Sequence, residues 1–159
     1  MVAAGGSGIG TAEVIPAVGD APAIVVRIID DSSSSAASLQ VPLVSSSQTL
    51  HAATRGVLIA PADVARTRFN VGIRTFDSAV NLRVTQYDAA GSLVRSRTVF
   101  YPSGTFVQLP ASDLVGGPVG SSHSLTLEVL GGSALVYGAA TNNDGTGMTL
   151  QIVTPLEIN

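Results

Sequence analysis

The 159-residue chain contains no cysteine, no lysine and no tryptophan. Without cysteine it cannot form disulfides, thiolate-bound zinc sites, iron–sulfur clusters or a thiol nucleophile. Without lysine it cannot perform Schiff-base chemistry or use a phosphate-loop lysine, and all eight of its basic residues are arginines. These absences exclude several large classes of enzyme and cofactor, and we expect no cofactor.

Charge is scarce, at 12% of the residues, and eleven acidic against eight basic residues give a net charge of −3. Nucleic-acid binding needs a basic patch, so we expect no nucleic-acid partner. The mean hydropathy is +0.41, but no run of about 18 apolar residues occurs, which predicts no membrane insertion. The chain shows no signal peptide. Its richness in Ser, Thr, Gly and Ala nevertheless favours a secreted or cell-surface protein.

Apolar residues recur with the period of two that is typical of β-strands. The clearest runs are residues 24–29, 69–74, 80–85 and 124–129. The first run is apolar on both faces, which predicts a central strand, whereas the others have one apolar and one polar face. Short strands at this spacing predict an all-β protein, an antiparallel sandwich or barrel of about seven to nine strands.

Turn residues divide these runs. Residues 88–91 (DAAG) predict a hairpin, and Gly131 and Gly132 predict a break between two strands. Residues 110–114 are the one plausible helical turn. We expect a single domain over residues 21–159, preceded by residues 1–20 as a flexible leader or an exchanged strand.

Residues 5–10 (GGSGIG) resemble the glycine-rich turn that binds dinucleotide phosphates. That turn requires a buried strand before the glycines and a helix after them. Only three small apolar residues precede the glycines here, and Pro16 would break a helix within two turns. A flexible leader is therefore the better interpretation.

The chain has two histidines that could serve as the base of a hydrolytic triad. A hydrolytic triad would bring His51 or His123 beside an activated serine and a carboxylate. Neither lies in a recognisable nucleophile motif, and no third ligand for a histidine metal site stands out, so both are interpreted as edge or surface residues and we expect no enzyme activity. Residues 142–147 (NNDGTG) could offer oxygen ligands to calcium, but one carboxylate is few for such a loop, and a hairpin turn fits better.

Arginines form the candidate partner-binding face. If the strands pair in chain order, they would line one stripe of a sheet and could bind an acidic partner or a glycan. The alternative is a solvated outer face with cross-strand ion pairs. The six residues are Arg66, Arg68, Arg74, Arg83, Arg95 and Arg97.

Residues 66–155 resemble an immunoglobulin-like β-sandwich domain of secreted and cell-surface bacterial proteins, in which the domain is often tandem or C-terminal. The resemblance rests on residues 66–72 (RTRFNVG), 84–91 (VTQYDAAG), 102–109 (PSGTFVQL) and 133–143 (SALVYGAATNN). Residues 21–60 look like the preceding strands of such a unit. The resemblance implies a non-catalytic accessory or structural module.

The leading hypothesis is an extracellular structural or adhesive module that acts through contacts with a protein partner or with itself. Residues 12–18 (AEVIPAV) could add as a strand to a neighbouring copy. The alternative hypothesis is a carbohydrate- or surface-polymer-binding accessory domain of a secreted enzyme. The scarcity of aromatic residues, 4% of the chain, argues against strong sugar stacking.

Overall fold

The computed structural model describes residues 26–29, 38–145 and 147–158. The glycine-rich motif at 5–10 and the predicted leader at 1–20 lie outside these residues. The described elements are eleven strands, a 3-10 turn at Ser46–Gln48 and one short helix, α1, at Ala111–Val115. The strands are β1 Val26–Ile29, β2 Ser38–Val41, β3 Leu50–His51, β4 Thr54–Ile59, β5 Thr67–Arg74, β6 Val80–Tyr87, β7 Leu93–Tyr101, β8 Phe106–Pro110, β9 Ser124–Asn142, β10 Met148–Ile152 and β11 Leu156–Glu157.

The predicted all-β class is confirmed. Nine strands, β3 to β11, form one antiparallel sheet, and β1 and β2 form a separate two-stranded sheet. The alternation seen in the sequence is the cause, because β4 and β6 bury every second residue along most of their length.

The prediction that the run at 24–29 is a central strand is wrong: its described part, β1, pairs with β2 alone among the described strands. Its apolar faces therefore do not place it inside the large sheet.

The long strand β9 organises the large sheet. Its first part, up to Gly132, pairs with β4 and β6, and its second part, from Ser133, pairs with β3, β5 and β10. We call β11, β4, β6, β7 and the first part of β9 the β6 half. We call β10, β5, β8 and the second part of β9 the β5 half.

The predicted break at the two glycines is wrong. The backbone bends there without leaving the sheet, because Gly132 adopts a φ of +81° and the register against β6 shifts nearby. An added Cβ on Gly132 would lie 1.7 Å from the carbonyl oxygen of Ala79. The glycine pair therefore carries one strand from the first half of the sheet to the second.

The hydrophobic core lies between side chains of both halves. Val71 and Ile73 of β5 and Leu82 of β6 belong to one cluster of fully buried residues. The halves approach closely at Gly138 of β9, where an added Cβ would lie 3.1 Å from Leu58 Cδ2 of β4. A larger residue at position 138 would push these strands apart.

A side chain occupies the free edge of β4 beside the β5 half. The Gln151 side chain, on β10, accepts a hydrogen bond from the Ile59 N–H at 2.9 Å and donates one to the Ile59 carbonyl at 2.7 Å. The amide thus satisfies the two backbone groups that a neighbouring strand would bind. Because β10 belongs to the β5 half, this contact also joins the two halves.

Two local predictions are confirmed. The DAAG segment joins β6 to β7 as a hairpin, with Gly91 at a φ of +83° and the Asp88 N–H bonded to the Ser92 carbonyl. The predicted helical turn is α1, which ends at Gly116 with a φ of +75°. No helix in the described part of the chain is long and apolar enough to span a membrane.

Candidate functional site

The six candidate arginines do not form one stripe. The prediction assumed that β5 lies beside β6, but both strands pair with β9 and belong to different halves of the sheet. Arg66, Arg68 and Arg74 lie on or beside the β5 half, and Arg83, Arg95 and Arg97 lie on the β6 half. The single stripe is thus wrong because the chain inserts β9 between strands that are neighbours in the sequence.

The arginines of the β6 half have internal partners. Arg83 lies on the outer face and donates three hydrogen bonds to the Glu128 carboxylate, from Nε at 3.0 Å and from Nη2 to the two oxygens at 2.5 and 2.6 Å. These hydrogen bonds, and next the carboxylate charge, raise the pKa of Arg83 above its ordinary value. This cross-strand ion pair agrees with the alternative interpretation of the arginines, a solvated outer face with cross-strand pairing.

Arg95 and Arg97 project from the opposite face of β7, because they pair in register with the buried residues Gln86 and Val84. Arg95 Nη1 donates to the Gly116 carbonyl at 3.0 Å, and Arg97 Nη1 donates to the Asp113 carbonyl at 3.2 Å. Both carbonyls are at the C-terminal end of α1, where a helix leaves acceptors unpaired and favours positive charge. These two arginines therefore hold the helix against β7.

The arginines of the β5 half are more open. Arg66 forms an exposed ion pair with Asp63 at 3.7 Å. Arg74 lies with its guanidinium carbon 5.6 Å from the centre of the Phe76 ring, and its Nη1 donates to the Gly104 carbonyl. Arg68 is exposed and has no hydrogen-bond or ion-pair partner within the described residues. Arg68 and Arg74 share the outer face of β5.

A tyrosine that the sequence did not single out lies on this same face. Tyr137 of β9 pairs with Gly72 of β5, and an added Cβ on Gly72 would lie 2.1 Å from two ring carbons of Tyr137. The ring therefore lies across the glycine, a position that a side chain on residue 72 would block. The hydroxyl donates to Gln108 Oε1 on β8 at 2.7 Å, which fixes the ring across three strands.

Two open clefts are present in the described structure. The first, of about 420 Å³, lies between the end of β4 and strand β10, and no titratable side chain lines it. The second, of about 330 Å³, lies at the start of β5 beside α1, and Arg68, Asn70 and Ser112 line it. Neither of these two clefts is lined by a histidine.

The two histidines have different partners, and neither lines the clefts described above. His51 is exposed, with Nε2 3.9 Å from the Glu157 carboxylate. His123 is half-buried, and its Nδ1 is 2.8 Å from the side-chain nitrogen of Gln86. No group of three His, Asp or Glu residues in the described ranges is placed to hold a metal ion. The segment after Asn142 is a hairpin turn between β9 and β10, with Gly145 at a φ of +75°.

The outer face of the β6 half displays apolar side chains at its two ends. Phe100 is 61% exposed and Leu130 is 46% exposed at one end, and Leu93 is 65% exposed at the other. Between them, Glu128 of β9 pairs in register with Arg55 on one side and Arg83 on the other. This face, which we call the β6 face, thus combines apolar ends with a centre that carries both charges.

Alkaline pH should reduce the stability of the fold through two tyrosines. Burial raises the pKa of Tyr137 and of Tyr101, against a small opposing effect of Arg97 on Tyr101. The folded state therefore favours the neutral phenols. Their contribution to stability is complete below the unfolded tyrosine pKa of about 10 and is lost as the pH rises through the folded pKa values.

Urea unfolding between pH 8 and about pH 11 measures this loss, and it can be assigned clearly because the chain has no lysine or cysteine to titrate in the same range. A variant with both Tyr101→Phe and Tyr137→Phe should keep a flatter profile than the wild type. An equally steep decline in that variant would contradict the assignment.

Comparison with known proteins adds little. No family model matches the chain, and no curated protein matches it. A solved structure described as the crystal structure of Thermotoga maritima 1070 is similar to it with a TM-score of 0.47 and 15% identity, over 67% of this chain and 96% of that chain. A similarity at this level supports neither a family nor a function, so a functional assignment rests on the geometry described above.

Proposed function

We propose that the chain is a non-catalytic module that acts through protein–protein contacts, and that the β6 face forms contacts with a second copy. The observation that carries the proposal is the grouping of exposed apolar residues, Phe100 and Leu130 above all, on a sheet face that also carries a charge pair. Exposed apolar side chains that share one sheet face favour association. A face with both charge signs can complement itself about a two-fold axis.

The proposal includes an immunoglobulin-like sandwich and export from a bacterial cell. The close approach of Leu58 to Gly138 supports a sandwich, because two sheets packed face to face would bring such positions together across one core. The resemblance of residues 66–155 to secreted bacterial domains supports export. Both parts remain proposals.

Light scattering after size exclusion, over a concentration series, tests the contact. We expect the average mass of the full chain to rise with concentration, and we expect Phe100→Ser to weaken association about tenfold, as the loss of a large aromatic contact does. Leu43→Ser is the matched control, since Leu43 is 55% exposed but lies in the segment between β2 and β3. A monomer at all concentrations, or equal effects of the two variants, would contradict the proposal.

Deletion of residues 1–20 separates this contact from strand exchange. Those residues lie outside the described structure, and the sequence predicts that they could add to a neighbouring copy as a strand. If the β6 face forms the contact, association persists after the deletion and stays sensitive to Phe100→Ser. Complete loss of association on deletion would instead assign it to the exchanged strand.

A further inference from the structure

The outer face of β5 carries a second candidate site, which does not depend on the proposed protein contacts. Its strands are β5, β8, β10 and residues 133–142 of β9, and none of their residues is Asp or Glu although the chain is acidic overall. Arg68 and Arg74 supply positive charge on this face. These strands therefore carry positive side-chain charge only, which complements an anion.

Tyr137 gives the face a flat apolar surface. One side of the ring lies over Gly72, where no side chain intervenes, and the hydroxyl is held by Gln108. The ring is half-buried, and its orientation is set before any ligand arrives. A rigid aromatic ring with hydrogen-bonding neighbours suits the apolar face of a sugar ring, which also presents hydroxyls at its edge.

The polar groups follow β5 in a line. Arg68, Asn70 and Arg74 alternate with buried residues, and the Tyr137 ring covers Gly72 between Asn70 and Arg74. The two arginines are six positions apart along the strand, or about 20 Å at roughly 3.3 Å per residue. A ligand that contacts both must be extended. The cleft beside α1 continues the line beyond Arg68 and Asn70.

We propose that this line of residues binds an acidic polysaccharide built from uronic acids. One sugar ring stacks on Tyr137, and carboxylates of the chain pair with Arg68 and Arg74, whose planar guanidinium groups match a carboxylate in shape. Asn70 donates to or accepts from ring hydroxyls between them.

The probe is an oligomer of galacturonic acid, with an oligomer of galactose as its neutral counterpart. Titration calorimetry should show saturable binding of the acidic oligomer and much weaker binding of the neutral one. We expect Arg68→Gln and Arg74→Gln each to raise the Kd about fivefold, the effect of an exposed ion pair. Arg55→Gln is the control, because Arg55 is also exposed and its loss changes the net charge equally, but it lies on β4 of the other half.

Tyrosine fluorescence locates the sugar. The chain has three tyrosines and no tryptophan, so a ligand stacked on Tyr137 changes a signal with little background. Tyr137→Phe keeps the ring and should keep the calorimetric Kd within about twofold, but it should remove the fluorescence response. Tyr137→Ala should raise the Kd about tenfold. The phenylalanine variant keeps the test decisive if the alanine variant does not fold.

Several results would overturn the proposal. These are no saturable binding, equal binding of the neutral oligomer, or an equal loss in Arg55→Gln and Arg68→Gln. A fluorescence response that persists in Tyr137→Phe would place the ligand elsewhere. Sulfated dextran provides a further test, because binding as tight as that of the uronic acid oligomer and unaffected by Tyr137→Ala would indicate charge attraction alone.

Discussion

Replacing Gly132 by alanine should lower the free energy of unfolding by about 2–5 kcal/mol, the largest effect that we expect of a single methyl group in this chain. The glycine has a φ of +81°, which an L-residue adopts only at a cost. Its added Cβ would also lie 1.7 Å from the backbone oxygen of Ala79, which no side-chain rotation can relieve. The bend of β9 would have to move, and with it the pairing to β6.

The neighbouring glycine is the control. An added Cβ on Gly131 meets no atom within 4 Å, so Gly131→Ala should change the stability by less than about 1 kcal/mol. Urea unfolding of the two variants and the wild type, followed by circular dichroism, measures the difference. Equal stability of the two variants would show that the bend does not depend on the geometry at residue 132.

Replacing Gln86 by alanine should cost about 2–4 kcal/mol. Gln86 is fully buried, and its side-chain nitrogen donates to the Pro118 carbonyl at 2.9 Å and contacts His123 Nδ1 at 2.8 Å. Truncation leaves a cavity and removes the donor that satisfies both acceptors. The substitution also removes the buried Gln86 Oε1, which has no hydrogen-bond partner within the described residues. Because burying an unpaired oxygen is unfavourable, its removal offsets part of these losses.

Gln40→Ala is the matched control, since Gln40 is exposed on β2 and should change stability by less than about 0.5 kcal/mol. Thermal unfolding compares the two variants. His123→Ala adds a second check. The free-energy changes of His123→Ala and Gln86→Ala should not add fully in the double variant, because the two side chains are in contact. Strict additivity would mean that the two side chains contribute independently.

The sequence predicts elements better than their arrangement. Alternation and turn residues correctly indicate β5, β6, the hairpin to β7 and the turn at α1, because each depends on local burial and backbone conformation. The continuity of β9 through Gly131 and Gly132 was not predictable from composition. A glycine pair at a left-handed bend and a glycine pair that ends a strand have the same sequence, and only the pairing to β6 distinguishes them.

The candidate site shows the same limit. Predicting which arginines share a face requires the strand order. That order depends on contacts between residues more than fifty positions apart, such as the pairing of Arg74 with Leu135. Tyr137 could be placed on an outer face by its alternation with the buried Val136, but its position over Gly72 required the register. Arg83 and Arg97 lie on different strands of one hairpin, β6 and β7. Without the register between these strands, the sequence could not show that the two side chains are on opposite faces.

The position of β9 after most of its partner strands has a consequence for folding. Strands β4, β5 and β6 all pair with β9, and β9 begins only at Ser124. Until it leaves the ribosome, the chain can form its β6–β7 and β5–β8 pairs, which lack the sheet that would stabilise them. The large sheet can therefore be completed only after β9 joins it, and because this step needs contacts between residues far apart in the chain, we expect it to be slower than the formation of the hairpin pairs.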